Sequence, residues 1–217
     1  MNLEMWNTKA YEPVIELLKN RQIPEEYPPE TIVEFFLSRG LDDGFFAVRD
    51  QIVGLSGYAM LTWAWLRPMA RWIGDRRCLE VMGGSGALSK CLQELGVSIR
   101  CTDSYDWAER APFWFSEPWT EVEKLDAVSA IKMYGKDTDI VVCSWPYMSN
   151  DCFEALEAMR SVNPACLMLY IGDEKNGATA NDAFFEAAIP VKDEAFLDAA
   201  SQYVTCHAMR DRPMLFR

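Results

Sequence analysis

The chain has 217 residues, with 21 Lys and Arg against 33 Asp and Glu, a formal net charge of −12, half its residues hydrophobic and a quarter charged. Such proportions exclude a disordered or fibrous chain, and this length predicts one core of ordinary domain size with a short appendage rather than two domains. The acidic balance argues against unaided nucleic-acid binding, because gripping a phosphate backbone takes a basic patch or stripe. No apolar run reaches the roughly 18 residues of a membrane span, and the N-terminus lacks a basic region followed by an apolar run, so no membrane partner and a cytoplasmic location are expected. The seven cysteines form no CxxC pair or Cys/His cluster. Reduced, mostly buried thiols and no metal site follow as expectations.

Taken in chain order, residues 1–75 read as a helical N-terminal cap. YEPVIELLKN repeats apolar residues at near-helical spacing, and PPETIVEFFLSRG opens with prolines suited to a first turn and closes at Gly40. GLSGYAMLTWAWLRPMARWIG carries Trp63, Trp65, Leu66, Met69 and Trp72. This segment either packs in the core or, through the turn at Gly57 and Tyr58 and the tryptophans, roofs a ligand pocket.

From residue 76 to 217 short apolar runs alternate with amphipathic ones: RCLEVM, SGALSKCLQELG, VSIRCTD, a Trp-rich loop, DAVSAIKMYG, DIVVCSW, DCFEALEAMR, ACLMLYIG and NDAFFEAAI. Strand and helix alternate, which predicts an α/β three-layer sandwich around a mostly parallel sheet. SQYVTCHAM and RPMLFR, separated by Arg210 and Asp211, read as a C-terminal antiparallel hairpin that would bring the sheet to seven strands.

The most informative stretch is CLEVMGGSGALSKCLQELGVSIRCTD. A strand ends at Glu80, Val81 and Met82, passes into Gly83, Gly84, Ser85 and Gly86, and a helix opens at about Ala87. Glycines there let a ligand approach the backbone, and the N–H groups of the helix start favour a carboxylate or phosphate. The second strand ends at Asp103, an acid placed to accept both hydroxyls of a ribose. Ser89 stands where a dinucleotide-binding loop would have its third glycine, which weighs against a nicotinamide-dependent oxidoreductase.

The segment resembles motif I of the class I S-adenosylmethionine-dependent methyltransferases, E/D-x-G-x-G-x-G after the first strand with an acid closing the second. Glu80, Gly84, Gly86 and Asp103 match it, Gly83 fills a usually small position, and Met82 replaces the first glycine. The resemblance runs from about Tyr58 to Arg217. It implies S-adenosylmethionine as cofactor, with Glu80 near the methionine moiety, the loop glycines beneath it and Asp103 on the ribose. Asp126, followed by Ala127, resembles the pair that meets the adenine amino group in that family; read as residues alone, it is equally a helix N-cap.

At the end of the fourth strand Ser144, Trp145, Pro146 and Tyr147 resemble the (D/N/S)-P-P-(Y/F/W) motif of amino-group methyltransferases, with Trp145 in place of the first proline. The resemblance makes Ser144 and Tyr147 the catalytic pair, the first orienting the amine and the second stacking on a planar acceptor, and puts Tyr58, Trp145 and Pro146 in the acceptor pocket. Methyl transfer asks for little beyond alignment, since a sulfonium is an activated donor. The acceptor is then a small molecule or a protein; the alternative is a non-catalytic binding or scaffold protein of the same fold. The loop from Gly172 to Thr179 either borders the substrate through Asp173 or Glu174 or is a solvated turn. His207 reads as structural. Trp107, Trp114 and Trp119 are open among a lid, a substrate wall and a subunit contact.

Overall fold

The computed structural model describes residues 4–28, 42–107, 117–205 and 209–217. Among the described residues three helices come first: α1 (Glu4–Lys19), α2 (Asp42–Ser56) and α3 (Trp63–Ile73). The alternating part follows with β1 (Cys78–Val81), α4 (Ala87–Glu94), β2 (Ile99–Asp103), β3 (Glu123–Lys124), α5 (Ala127–Tyr134), β4 (Ile140–Ser144) and α6 (Asp151–Val162). It closes with β5 (Leu167–Gly172), α7 (Asp182–Ala187), α8 (Glu194–Ala200) and β6 (Arg212–Phe216). The helix expected over 28–40 falls almost entirely outside the described residues, as do Trp114, Cys206 and His207.

The strands form one sheet in the order β3-β2-β1-β4-β5-β6. All pairs are parallel except the last, in which Leu169 of β5 faces Leu215 of β6. Parallel strands covered by helices on both faces must be apolar throughout, and β4 shows why: Ile140 and Val142 join one cluster while Val141 and Cys143 join the other. The first face packs α1, α2, α3, α4 and α8, and the second packs α5, α6 and α7, which makes three layers. The first cluster holds Leu18 and Ile52 together with Ile140 and Leu169, so the N-terminal helices share the core of the sheet.

The expected antiparallel last strand is present as β6, but the first arm of the expected hairpin is a correction. Among the described residues the sheet has six strands, and residues 201–205 are turn and irregular structure rather than a strand. The extended neighbour on the outer edge of β6 is instead a single antiparallel bridge from Pro190 to Phe216, flanked by reciprocal hydrogen bonds between Ile189 and Arg217. The reason is local: Asp193 accepts from the Phe196 N–H at 2.9 Å and caps α8, so after the bridge at Pro190 the chain is helical from Glu194 to Ala200 instead of continuing along the edge of β6. The tryptophan-rich segment is core: Trp65, Leu66 and Met69 are fully buried, and the Trp65 indole donates to the Met60 carbonyl at 2.9 Å. No helix among the described residues is long and apolar enough to cross a membrane. Among the described residues the six cysteines are free and buried.

Candidate active site

The carboxyl ends of β1, β2 and β4 open onto a cavity of about 860 Å³, within the range usual for small-molecule sites. Its floor is the glycine turn. Met82, Gly84 and Gly86 all have positive φ, at 56°, 55° and 70°, and the turn closes through the Gly86 N–H donating to the Gly83 carbonyl at 2.9 Å. Each glycine serves a different need. A Cβ on Gly83 would stand 2.4 Å from the Cys101 sulfur, whereas at Gly84 nothing lies within 4 Å, so its backbone is open to a ligand. Gly86 is not on the cavity wall: a Cβ there would meet Val122 at 2.8 Å and Thr120 at 3.0 Å, so the glycine allows the 117–122 segment to pack across the turn. Met82 adopts by force of its surroundings what the motif's glycine adopts freely, a conformation that costs a bulky residue about 1–2 kcal/mol.

Two acids lie against this turn. Asp103 is 3% exposed, and its Oδ2 accepts from the Gly84 N–H at 2.7 Å while its Oδ1 accepts from the Tyr105 N–H at 2.6 Å and the Trp107 indole at 3.0 Å. An ionised carboxylate has about four lone-pair positions, so roughly one remains, on Oδ2. The expected pair of hydrogen bonds from a ribose is thus reduced to one unless the indole moves. Glu80 is 1% exposed and accepts from the hydroxyl of Ser89, on the first turn of α4, and from the Cys101 thiol at 3.4 Å. Burial pushes its carboxyl up to about 7, against the opposing pull of the Ser89 bond. Burial likewise raises the Cys101 thiol and lifts Tyr105 to about 12.

Asp126 sits on the cavity wall and also caps α5, accepting from the Ser129 N–H at 2.9 Å, and hydrogen bonding from the Ser129 side chain and then its backbone holds the carboxyl below the usual range. The two readings of this residue are compatible. Across the cavity, Ser144 closes β4, followed by Trp145, Pro146 and Tyr147, and all four line the wall. Tyr147 is 56% exposed at the mouth. The Tyr58 and Trp145 rings stack at 5.1 Å with an interplanar angle of 18°, and burial raises the Tyr58 hydroxyl.

The structure thus brings Glu80, Gly83, Gly84, Asp103, Asp126, Tyr58, Ser144, Trp145, Pro146 and Tyr147 onto one cavity and leaves Gly86 off it. Sequence reasoning did not assign Met82, Asp106, Asp151 and Glu154, which also line it, and left Trp107 open. Asp151 and Glu154 carry a visible signal in the first turns of α6, but acids at a helix start are ordinary. Trp119 is core: its indole donates to the Leu55 carbonyl and its N–H to the Ser85 carbonyl, both at 2.8 Å, pinning α2 to the glycine turn. Asp173 is structural, buried and accepting from the N–H groups of Ala178 and Arg210.

A glycine turn after the first strand, an acid closing the second and an antiparallel last strand are the features the sequence resemblance implies, and here they stand on a sheet of order 3-2-1-4-5-6. The fold is a three-layer α/β sandwich with a mostly parallel sheet. No protein-family model matches the sequence, and no curated protein matches it. Solved structures similar to this chain include the magnesium protoporphyrin IX methyltransferase of Synechocystis with bound SAM, at 14% identity and TM-score 0.46, covering 88% of this chain and 97% of that one. Another is the Burkholderia thailandensis 1,6-didemethyltoxoflavin-N1-methyltransferase, at 14% identity and TM-score 0.44, covering 90% and 93%. A third is human N-acetylserotonin methyltransferase, at 13% identity and TM-score 0.43, covering 99% and 69%. All three likenesses are remote.

Proposed function

We propose that the chain is an S-adenosylmethionine-dependent methyltransferase acting on an amino group of a small molecule or protein. The observation that carries this reading is the meeting, in one cavity, of the open backbone at Gly84 with Asp103 and of the Ser144–Tyr147 strand end opposite. The residues present fit the cofactor: a positive-φ glycine with open space above it, an acid at the end of β2 with an acceptor position left, and a second acid at the start of α5. S-adenosylmethionine, when bound, supplies a methyl group on a positively charged sulfur.

The chain's own residues bind and align. The Gly83–Gly84 backbone, the remaining lone pair of Asp103 and Asp126 are the groups that would hold the cofactor, Asp103 through a ribose hydroxyl and Asp126 through the adenine amino group. The Ser144 hydroxyl, which has no hydrogen-bond partner among the described residues, accepts from the amine and orients its lone pair; Tyr147 covers the acceptor at the mouth. Alignment of this kind supplies much of the acceleration for an activated donor. The test is calorimetric titration with S-adenosylmethionine and S-adenosylhomocysteine on the native chain and on Asp103→Ala, with thermal unfolding as the check of folding. The variant is expected to lose about 1.5–3 kcal/mol of binding, tenfold or more. Absence of binding by the native chain at millimolar ligand overturns the reading in favour of a scaffold.

A further inference from the structure

The acceptor half of the cavity has a built wall. Trp145 has φ 51°, a backbone state that a bulky residue holds only where its surroundings over-determine it. Here they do: its N–H donates to the Ile171 carbonyl at 2.7 Å and its indole N–H to Asp211 Oδ2 at 3.1 Å. Asp211 is 3% exposed and also accepts from the hydroxyls of Tyr203 and Thr205, so the anchor is itself held. The Arg49 guanidinium lies 5.6 Å from the Tyr58 ring centre and 5.9 Å from that of Trp145. The stacked pair is therefore set before a ligand arrives, which spares a flat ligand the cost of ordering it.

The charged side chains that line the cavity are all acidic. Among the described residues lining the cavity, Asp106, Asp151 and Glu154 add carboxylates to those of the cofactor half, and there is no Lys, Arg or His. Ser149 donates to Asp151 at 2.7 Å and Asn150 to Glu154 at 2.8 Å, which leaves each carboxylate further acceptor capacity. Arg49 does not line the cavity. An anionic ligand would be repelled by these carboxylates, whereas a cation reaching Asp151 and Glu154 gains from them and from the aromatic faces.

We infer that the acceptor is an aromatic cation, a molecule with a flat ring that lies against the Tyr58–Trp145 pair and a positive charge directed to Asp151 and Glu154. This rests on the methyltransferase reading for its account of the opposite half of the cavity. The experiment uses tryptamine and indoleacetate, one ring system with opposite charges, titrated calorimetrically at low ionic strength into the full chain with and without saturating S-adenosylhomocysteine. Tryptamine is expected to bind about tenfold tighter or more, as two solvent-facing charge contacts allow. Asp151→Asn combined with Glu154→Gln, both exposed positions, is expected to shrink that preference to less than about threefold. Indoleacetate binding as tightly as tryptamine, binding of neither, or a preference unchanged in the double variant overturns the inference. Failure of S-adenosylhomocysteine to bind, with the tryptamine preference intact, overturns the methyltransferase reading instead.

Discussion

Glu80 puts a titratable group under the glycine turn, and its burial makes a pH-dependent stability that Glu80→Gln should abolish. The carboxyl is 1% exposed and stands at about 7 in the folded chain against an ordinary 4.5. Between those values the unfolded chain ionises it while the folded chain keeps it protonated, so the folded state binds more protons and stability falls as pH rises. The contribution of the neutral acid is whole below 4.5 and is lost by the time the pH has passed through 7. At about 1.36 kcal/mol for each tenfold change the full loss is about 3.4 kcal/mol, of which about 2.5 kcal/mol falls between pH 5 and pH 8.5. The amide is isosteric and does not titrate. Any difference in how it accepts from Ser89 shifts both measurements equally and cancels. Urea unfolding of both chains at the two pH values should therefore show the variant gaining about 2.5 kcal/mol on the native chain at the higher pH, with unchanged denaturant slopes. A gain below about 1 kcal/mol would mean that Glu80 ionises in the folded protein at its ordinary pH, and the argument from burial would fail.

Gly83→Ala should destabilise by about 1–3 kcal/mol in urea unfolding, because the new methyl meets the Cys101 sulfur and the Glu80 side chain, and neither has free space to yield. Asp211→Ala leaves the Trp145 indole and two hydroxyls without their acceptor in a buried site, at about 2–4 kcal/mol, while Asp211→Asn, which keeps one oxygen, should recover part of that loss. Trp107→Phe keeps a ring and removes the donor that occupies Asp103 Oδ1; S-adenosylhomocysteine should then bind roughly threefold to tenfold tighter by calorimetry, and weaker binding would show that the indole is a ligand contact rather than a competitor.

Much of the site was legible because its chemistry is written in consecutive residues. Glu80 to Gly86 form a strand end and a turn, Asp103 ends the next strand, and Ser144 to Tyr147 follow a run of apolar residues that has to be a buried strand. In a parallel sheet all these strand ends emerge on one edge, so naming the strands already brings the residues together. The same reasoning found the final strand but misplaced the run before it. SQYVTCHAM alternates well enough for a strand, yet Asp193 caps a helix just before it and the edge of β6 is taken by Pro190. A short apolar run does not say which neighbour will satisfy its backbone.

By itself the sequence determined the layered α/β order, the glycine turn and the acids at the strand ends, since these follow from local conformation and apolar periodicity. Only the tertiary structure decided which glycine faces a ligand and which makes room for packing, that Trp119 is core and Trp107 holds Asp103, and that Asp211, distant by 66 positions, anchors Trp145. Those are meetings between segments remote in the chain. Their hydrogen bonds depend on where each element is set down, and no spacing along the sequence encodes that.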